Sequence, residues 1–418
     1  MADEEVLLGE LGTALHGATL PADVVEEQLA AVAKRLGLDG QFFTLQSFLA
    51  MEVRNGAPHV TVRRMSFDTH WNLTRMTALL TLSRDLAAGR VGVADGRRRI
   101  AEIAAQPPPY GRALVVAAYG VYGGAVAARV GGNLIEVLVG ALVGAVAGLI
   151  HFGTLRSNTV DLQKSFIAAF VGSLCAFVLA RVLPPFDAPR ALFGGVTLLV
   201  PAMVLTVGVH ELASEEVESG VVRTGYGLLR FAMLAVGIAA AVTVTHFAPA
   251  LPRVTATPLP FPVVLALVAL GGLGLVACLQ GPRRDVVAIV AATVLAYATQ
   301  EVTKRIVGEH GAPMLSAFVL GTAAYLHANA TGRSLPVMMV PGLLQLAPGF
   351  LGTQAVLRLM GGEPSSQAEE LSFFRVAIVA VQLATGLLIA GLLFRRRRAP
   401  RRTGQARGDD NHARGAGG

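Results

Sequence analysis

Residues 335–349 read LPVMMVPGLLQLAPG. The stretch is apolar enough for a membrane helix, yet it carries Pro341-Gly342 and Pro348-Gly349 seven residues apart. An interior proline removes a backbone hydrogen bond and crowds the preceding turn. Seven residues is nearly two turns, so both interruptions face the same way on a helix. A break at membrane depth frees amides and carbonyls that only protein or a water-filled path satisfies there. Gln345 lies between the interruptions, and a polar side chain on such a helix faces protein or water rather than lipid. An earlier segment has the same character: residues 198–202 read LLVPA and interrupt it at Pro201-Ala202.

Outward from these two stretches, apolar segments recur after residue 110, near 111–130, 133–152, 164–183, 190–210, 226–248, 260–280, 284–302, 312–329, 335–358 and 373–394. Most reach the ~20 residues that cross a hydrocarbon core. The interruptions fall in the fourth and ninth segments, which are equivalent if the membrane part is two sets of five. Five is odd, so the second set is inverted. Inverted repeats with interrupted helices at matching positions are a transporter signature. The expected fold is a polytopic α-helical membrane protein of about ten transmembrane helices in two inverted five-helix repeats, 111–250 and 251–395. A soluble α+β domain, 1–110, precedes them, and a basic disordered tail, 396–418, follows. Within 1–110, residues 3–16 and 22–36 have helical apolar spacing, Phe42–Thr44 and Leu49–Val53 read as strands, and Asn55-Gly56 is a turn signal before His59–Arg63. Two more helices fit 70–89 and 95–105, ahead of Pro107-Pro108-Pro109.

Composition agrees with a membrane protein. The chain is 53% hydrophobic and only 15% charged, against about a quarter charged in ordinary soluble chains. The net charge of +7 comes largely from Arg395–Arg398, Arg401 and Arg402. A basic run after an apolar helix marks a cytoplasmic flank and argues against a nucleic-acid partner. Arg97–Arg99 precede the first segment, so both termini are expected in the cytoplasm. The first residues lack the parts of a signal peptide. Gly120 and Gly124, and Gly140, Gly144 and Gly148, repeat at four-residue spacing as close-packing faces. Cys175 and Cys278 sit in apolar segments as small hydrophobes.

His210-Glu211 closes the fourth segment and is a candidate for proton coupling or a gate. It begins like a zinc-protease motif, but Ser214 stands where the second histidine belongs. Glu301 ends the seventh segment, near Arg305 at helical spacing, as Gln300 is near Lys304; it is a candidate gate or counter-ion. His151 and His327 read as interfacial residues, and Arg230 as an arginine that snorkels. No phosphate loop, metal set or nucleophile–base set stands out, so neither a cofactor nor an enzyme is expected.

These motifs resemble the threonine/serine exporter family, ThrE-like proteins, in a fused two-half form. The resemblance rests on residues 17–26 with Leu36-Gly37-Leu38, on 63–89 and 101–110, on Leu199-Val200-Pro201 with Leu205-Thr206 and Glu211-Leu212, and above all on Arg333, Pro336 and Pro341-Gly342 through Pro348-Gly349. Ala202 departs from the family's usual glycine, Glu211 from its aspartate and His210 from a common arginine. The resemblance implies export of threonine and serine, driven by the proton motive force, from a bacterial cytoplasmic membrane. Split relatives imply dicarboxylates such as succinate as an alternative, and a membrane-anchored sensor is the rival from another class. Implied partners are a small amino acid, protons and the lipid bilayer, with homo-oligomerisation left open. The substrate path is expected around Pro201, Ala202, Pro341, Gly342, Gln345, Pro348 and Gly349.

Overall fold

The computed structural model describes residues 3–55, 57–65, 71–154, 161–246, 257–346 and 367–394. It is mostly helical. The N-terminal part has α1 (Asp3–Gly17), α2 (Ala22–Arg35), β1 (Asp39–Thr44), β2 (Phe48–Asn55), β3 (Ala57–Arg64), α3 (Leu73–Ala87) and α4 (Val93–Ala105). The strands form an antiparallel meander, and pairing runs down to Asn55 opposite Ala57. Leu7, Leu11 and Leu15 recur at four-residue spacing on α1 and are fully buried. They pack with Leu29, Leu49, Leu73 and Met76, the outcome of helical and alternating apolar patterns meeting on one core.

The remaining helices are α5 (Arg112–Arg129), α6 (Leu134–Thr154), α7 (Asp161–Val182), α8 (Ala188–Val196), α9 (Ala202–Ala213), α10 (Val217–Thr245), α11 (Phe261–Cys278), α12 (Val286–Thr331), α13 (Pro336–Leu346) and α14 (Gln367–Phe394). A 3-10 turn, Thr197–Leu199, extends α8. Among the described residues, six helices are long and apolar enough to cross a membrane, or seven if the bent pair α8–α9 is one span. The chain is therefore read as a multi-pass membrane protein.

At 46 residues, α12 would measure ~70 Å if straight, more than twice the ~30 Å hydrocarbon core. It is not straight. Gly308 has φ 75° and ψ 174°, a conformation reserved for glycine. The Oγ1 of Thr303 lies 3.0 Å from Oγ of Ser316, although 13 residues of straight helix span ~20 Å. The helix doubles back at Gly308.

The glycine faces hold α5 against α6. A Cβ added at Gly144 would come within 2.5 Å of the Tyr119 carbonyl oxygen, and one at Gly120 within 2.9 Å of that of Ala141. The backbones touch, which is what small residues permit in membranes.

Candidate functional site

Pro201 ends one helix and starts the next. Its ring fixes φ near the helical value but leaves no N–H to donate, and Val200 before it is extended. The axes of α8 with its 3-10 turn and of α9 differ by 56°. The first bond inside α9 runs from Leu205 N to Pro201 O, at 2.9 Å. The amides of residues 202–204 thus have no acceptor within the helix, and this end carries the positive pole of the helix dipole.

The bend opens onto a cavity of about 300 Å3 whose wall includes Pro201, Met203 and Val204 of α9. Lys164 from α7, Arg230 from α10 and His151 from α6 also line it, and no Asp or Glu is among the described residues that do. Arg230 Nε donates to Ser165 Oγ at 3.0 Å. His151 stacks on Tyr119 with ring centroids 5.7 Å apart. Trp71 of the N-terminal part and Leu344 of α13 also line it. The two proline-bearing segments therefore meet at one cavity. His151 and Arg230 both line it. Three basic residues near membrane ends of the same predicted side were the signal for it.

The second interruption is not where the sequence put it. The helix α13 runs unbroken through Pro341 from Pro336 to Leu346. An interior proline forfeits one bond, to Val337 here, and the packed neighbours hold the helix together. Gly342 is a packing residue: a Cβ there would lie 2.4 Å from Leu320 Cδ1. Ala202, expected in the substrate path, is the first residue of α9 and is buried. Gln345 is 1% exposed, and its Oε1 has no hydrogen-bond partner. Pro348 and Gly349 lie outside the described residues.

Glu211 lies in the last turn of α9. It is completely buried. Arg223 of α10 grips it in a fork, Nε to Oε2 at 2.8 Å and Nη2 to Oε1 at 2.9 Å. The backbone N–H of Ala22, at the start of α2, donates to Oε1 at 3.0 Å. With its amide oriented by this network, the Gln46 side-chain oxygen accepts from the same guanidinium at 3.0 and 3.2 Å. Nearby, Ser219 Oγ donates to Thr44 O at 2.7 Å, and His210 Nε2 stands 4.0 Å from Asp23 Oδ2. His16 is buried in this junction, where loss of water and then the Arg223 charge pull its pKa down to about 4. The motif thus joins the N-terminal part to α9 and α10.

Glu301 pairs with Lys304 at 2.7 Å, three residues on, rather than with Arg305. It does not line the cavity.

A family model described as "Putative threonine/serine exporter" matches residues 6–245. An uncharacterized protein of Schizosaccharomyces pombe is 24% identical over 52% of this chain and 27% of its own length. The pheromone-regulated membrane protein 10 of Zygosaccharomyces rouxii is 21% identical over 54% of this chain and 23% of its own. That of Yarrowia lipolytica is 20% identical over 54% and 19%. The chain spans about a quarter of the length of these curated relatives. No solved structure matches.

Proposed function

This chain belongs to the threonine/serine exporter family, and from that premise we propose that it is a secondary exporter of small amino acids. Proton antiport across a bacterial cytoplasmic membrane drives it. The N-terminal part faces the cytoplasm, as do both termini. The observation that carries this reading is the bend at Pro201, which turns the N-terminus of α9 and its free amides into a cavity walled by Lys164 and Arg230. Helix N-termini and basic side chains hold carboxylates. A water occupies about 30 Å3 of liquid, so 300 Å3 admits a serine or threonine with a few waters.

The membrane part is taken as ten crossings in two inverted halves. Support comes from Tyr110 N, just before α5, which donates at 3.2 Å to Gln280 Oε1, just after α11. The first helix of one half therefore starts where the first helix of the other ends. Alternating access rocks one half against the other, and the Glu211–Arg223 junction gates the cytoplasmic side. A dicarboxylate substrate is the second reading, favoured by the same acid-free cavity wall. A sensor has no need of a bent helix that lines a cavity.

The test is efflux of labelled threonine, serine and succinate from loaded proteoliposomes, with an imposed pH gradient and with an uncoupler. Gradient-dependent movement of an amino acid, lost in Arg230→Gln, supports the reading. Succinate alone moving selects the second, and none of the three moving from folded protein sinks both.

A further inference from the structure

We infer that Arg129 and Gln345 form a second carboxylate-binding subsite, beyond the cavity on the same path, and that it selects substrates bearing a hydrogen-bond donor beside the carboxylate. The inference rests on the exporter reading. Tyr119 of α5 packs against the cavity's His151. One turn on, Tyr122 donates its hydroxyl to the Leu344 carbonyl at 3.4 Å. Two turns further, ~10 Å along the axis, Arg129 donates Nη1 to the Gln345 carbonyl. Leu344 lines the cavity; Gln345 is the next residue and points its buried amide elsewhere. The Tyr122 contact therefore stands between cavity and Arg129.

Two groups here lack what they need. The Nε of Arg129 is shielded from solvent with no acceptor, and Gln345 Oε1 is shielded with no donor. Such orphans are rare in folded proteins. The electrostatic neighbours of Arg129 are the hydroxyls of Tyr122 and Tyr297 and the carboxylate of Glu301. Glu301 is already bonded to Lys304 at 2.7 Å. The Glu301 carboxylate thus has Lys304 as its bonded partner, and Arg129 feels it only as a neighbouring charge.

One ligand class satisfies every orphan. A carboxylate accepts from Arg129 Nε and faces its positive charge. An ammonium or hydroxyl on the adjacent carbon donates to Gln345 Oε1. An α-amino acid or α-hydroxy acid carries both groups; a dicarboxylate at neutral pH offers acceptors only. A site built to bond a donor rejects the analogue that lacks it, so this subsite separates serine from succinate where the cavity does not.

The test uses full-length protein in proteoliposomes and compares kcat/KM for serine, lactate and succinate in wild type, Arg129→Gln, Arg129→Lys and Gln345→Leu. Arg129→Gln is expected to lose at least tenfold for serine and lactate, with partial recovery in Arg129→Lys. Gln345→Leu is expected to lower the serine-to-succinate and lactate-to-succinate ratios at least tenfold, a change that general loosening of the helices does not produce. If Arg129→Gln fails to fold, the Gln345→Leu ratios decide. Wild-type serine transport with unchanged ratios in Gln345→Leu overturns the subsite and leaves the exporter reading intact. Wild-type protein that moves none of the three overturns both.

Discussion

Glu211→Ala is the substitution with the most to lose. It removes two charge-assisted bonds to Arg223, at 2.8 and 2.9 Å, and the acceptor for Ala22 N–H at 3.0 Å. The Arg223 side chain is 6% exposed, so its charge is left in a nearly dry site. Breaking a buried pair from one side costs about 3–5 kcal/mol, and an orphaned buried amide adds roughly 1–3 kcal/mol. Gln46 still reaches the guanidinium and offsets part of this. The expected net loss is about 4 kcal/mol, on the order of a thousandfold in the docking equilibrium of the N-terminal part. Trp71 is the chain's sole tryptophan and stands in the cavity wall between that part and the membrane helices, so its fluorescence reports docking directly. Glu211→Ala should shift Trp71 emission to the red, admit an aqueous quencher and lower the melting midpoint. Glu211→Leu with Arg223→Met replaces both charges by apolar groups and should recover most of the loss, because the uncompensated cation is gone. Wild-type emission, quenching and melting in Glu211→Ala would show that the pair holds nothing together.

Two further outcomes follow from the same geometry. His16, 6% exposed, has its pKa lowered from 6.5 to about 4. The unfolded or undocked chain therefore binds more protons below pH 6.5, so stability is fully present above pH 6.5 and falls by about 3 kcal/mol on reaching pH 4; the Trp71 melting midpoint should drop over that window and flatten in His16→Gln. Gly342→Val places a branched side chain where Leu320 Cδ1 already lies within 2.4 Å of a Cβ; overpacking of about 1–3 kcal/mol should lower the midpoint, with recovery when Leu320→Ala is added.

Periodicity made much of the fold legible. Leu7, Leu11 and Leu15 announce α1 by spacing alone, and the four-residue glycine rows on α5 and α6 announce their contact. The Pro201 break was legible because a proline lies beside the 3-10 turn that ends α8. At Pro341 the same reasoning failed. Propensity places a break there, but tertiary packing around Gly342 and Leu320 carries the helix through. Glu211 stands out as a charge at a segment end, while its partner Arg223 lies across a helical turn. Residues 211 and 223 are 12 apart, and α9 and α10 pair as neighbours across the short link between Ala213 and Val217. An antiparallel hairpin with that link sets them side by side, so the pair was recoverable from turn length. The bond to Ala22, 189 residues away, was not: no local pattern encodes it. Arg129 at the end of α5 carries no signal in the sequence, since its bond to the Gln345 carbonyl depends on where α13 packs.

The N-terminal part is bonded to helices of both proposed halves, and this restricts the rocking proposed for them. To the first half it gives Ala22 N–H to Glu211 and accepts Ser219 Oγ at Thr44. To the second, Leu73 and Thr74 give their amides to Leu279 and Gln280 at 2.9 and 3.1 Å, and Arg84 reaches Gly332 O and Ser334 Oγ at 3.4 and 3.3 Å. Its own helices cannot stretch between the two, because Ser83 of α3 bonds Gln28 of α2 at 2.9 Å within a shared core. If the halves rock, one set of contacts must open. In the first set the Ala22 amide and the Gln46 oxygen meet the charges of the Glu211–Arg223 pair, and bonds to charged groups are worth about 1.5–3 kcal/mol each. The second-half set consists of neutral bonds, worth about 1 kcal/mol each, and of long contacts from an arginine with exposed bonds. The second set is the weaker, so the N-terminal part travels with α9 and α10 and parts from Gln280 and Ser334, uncovering the cavity at Trp71 from the side of the second half.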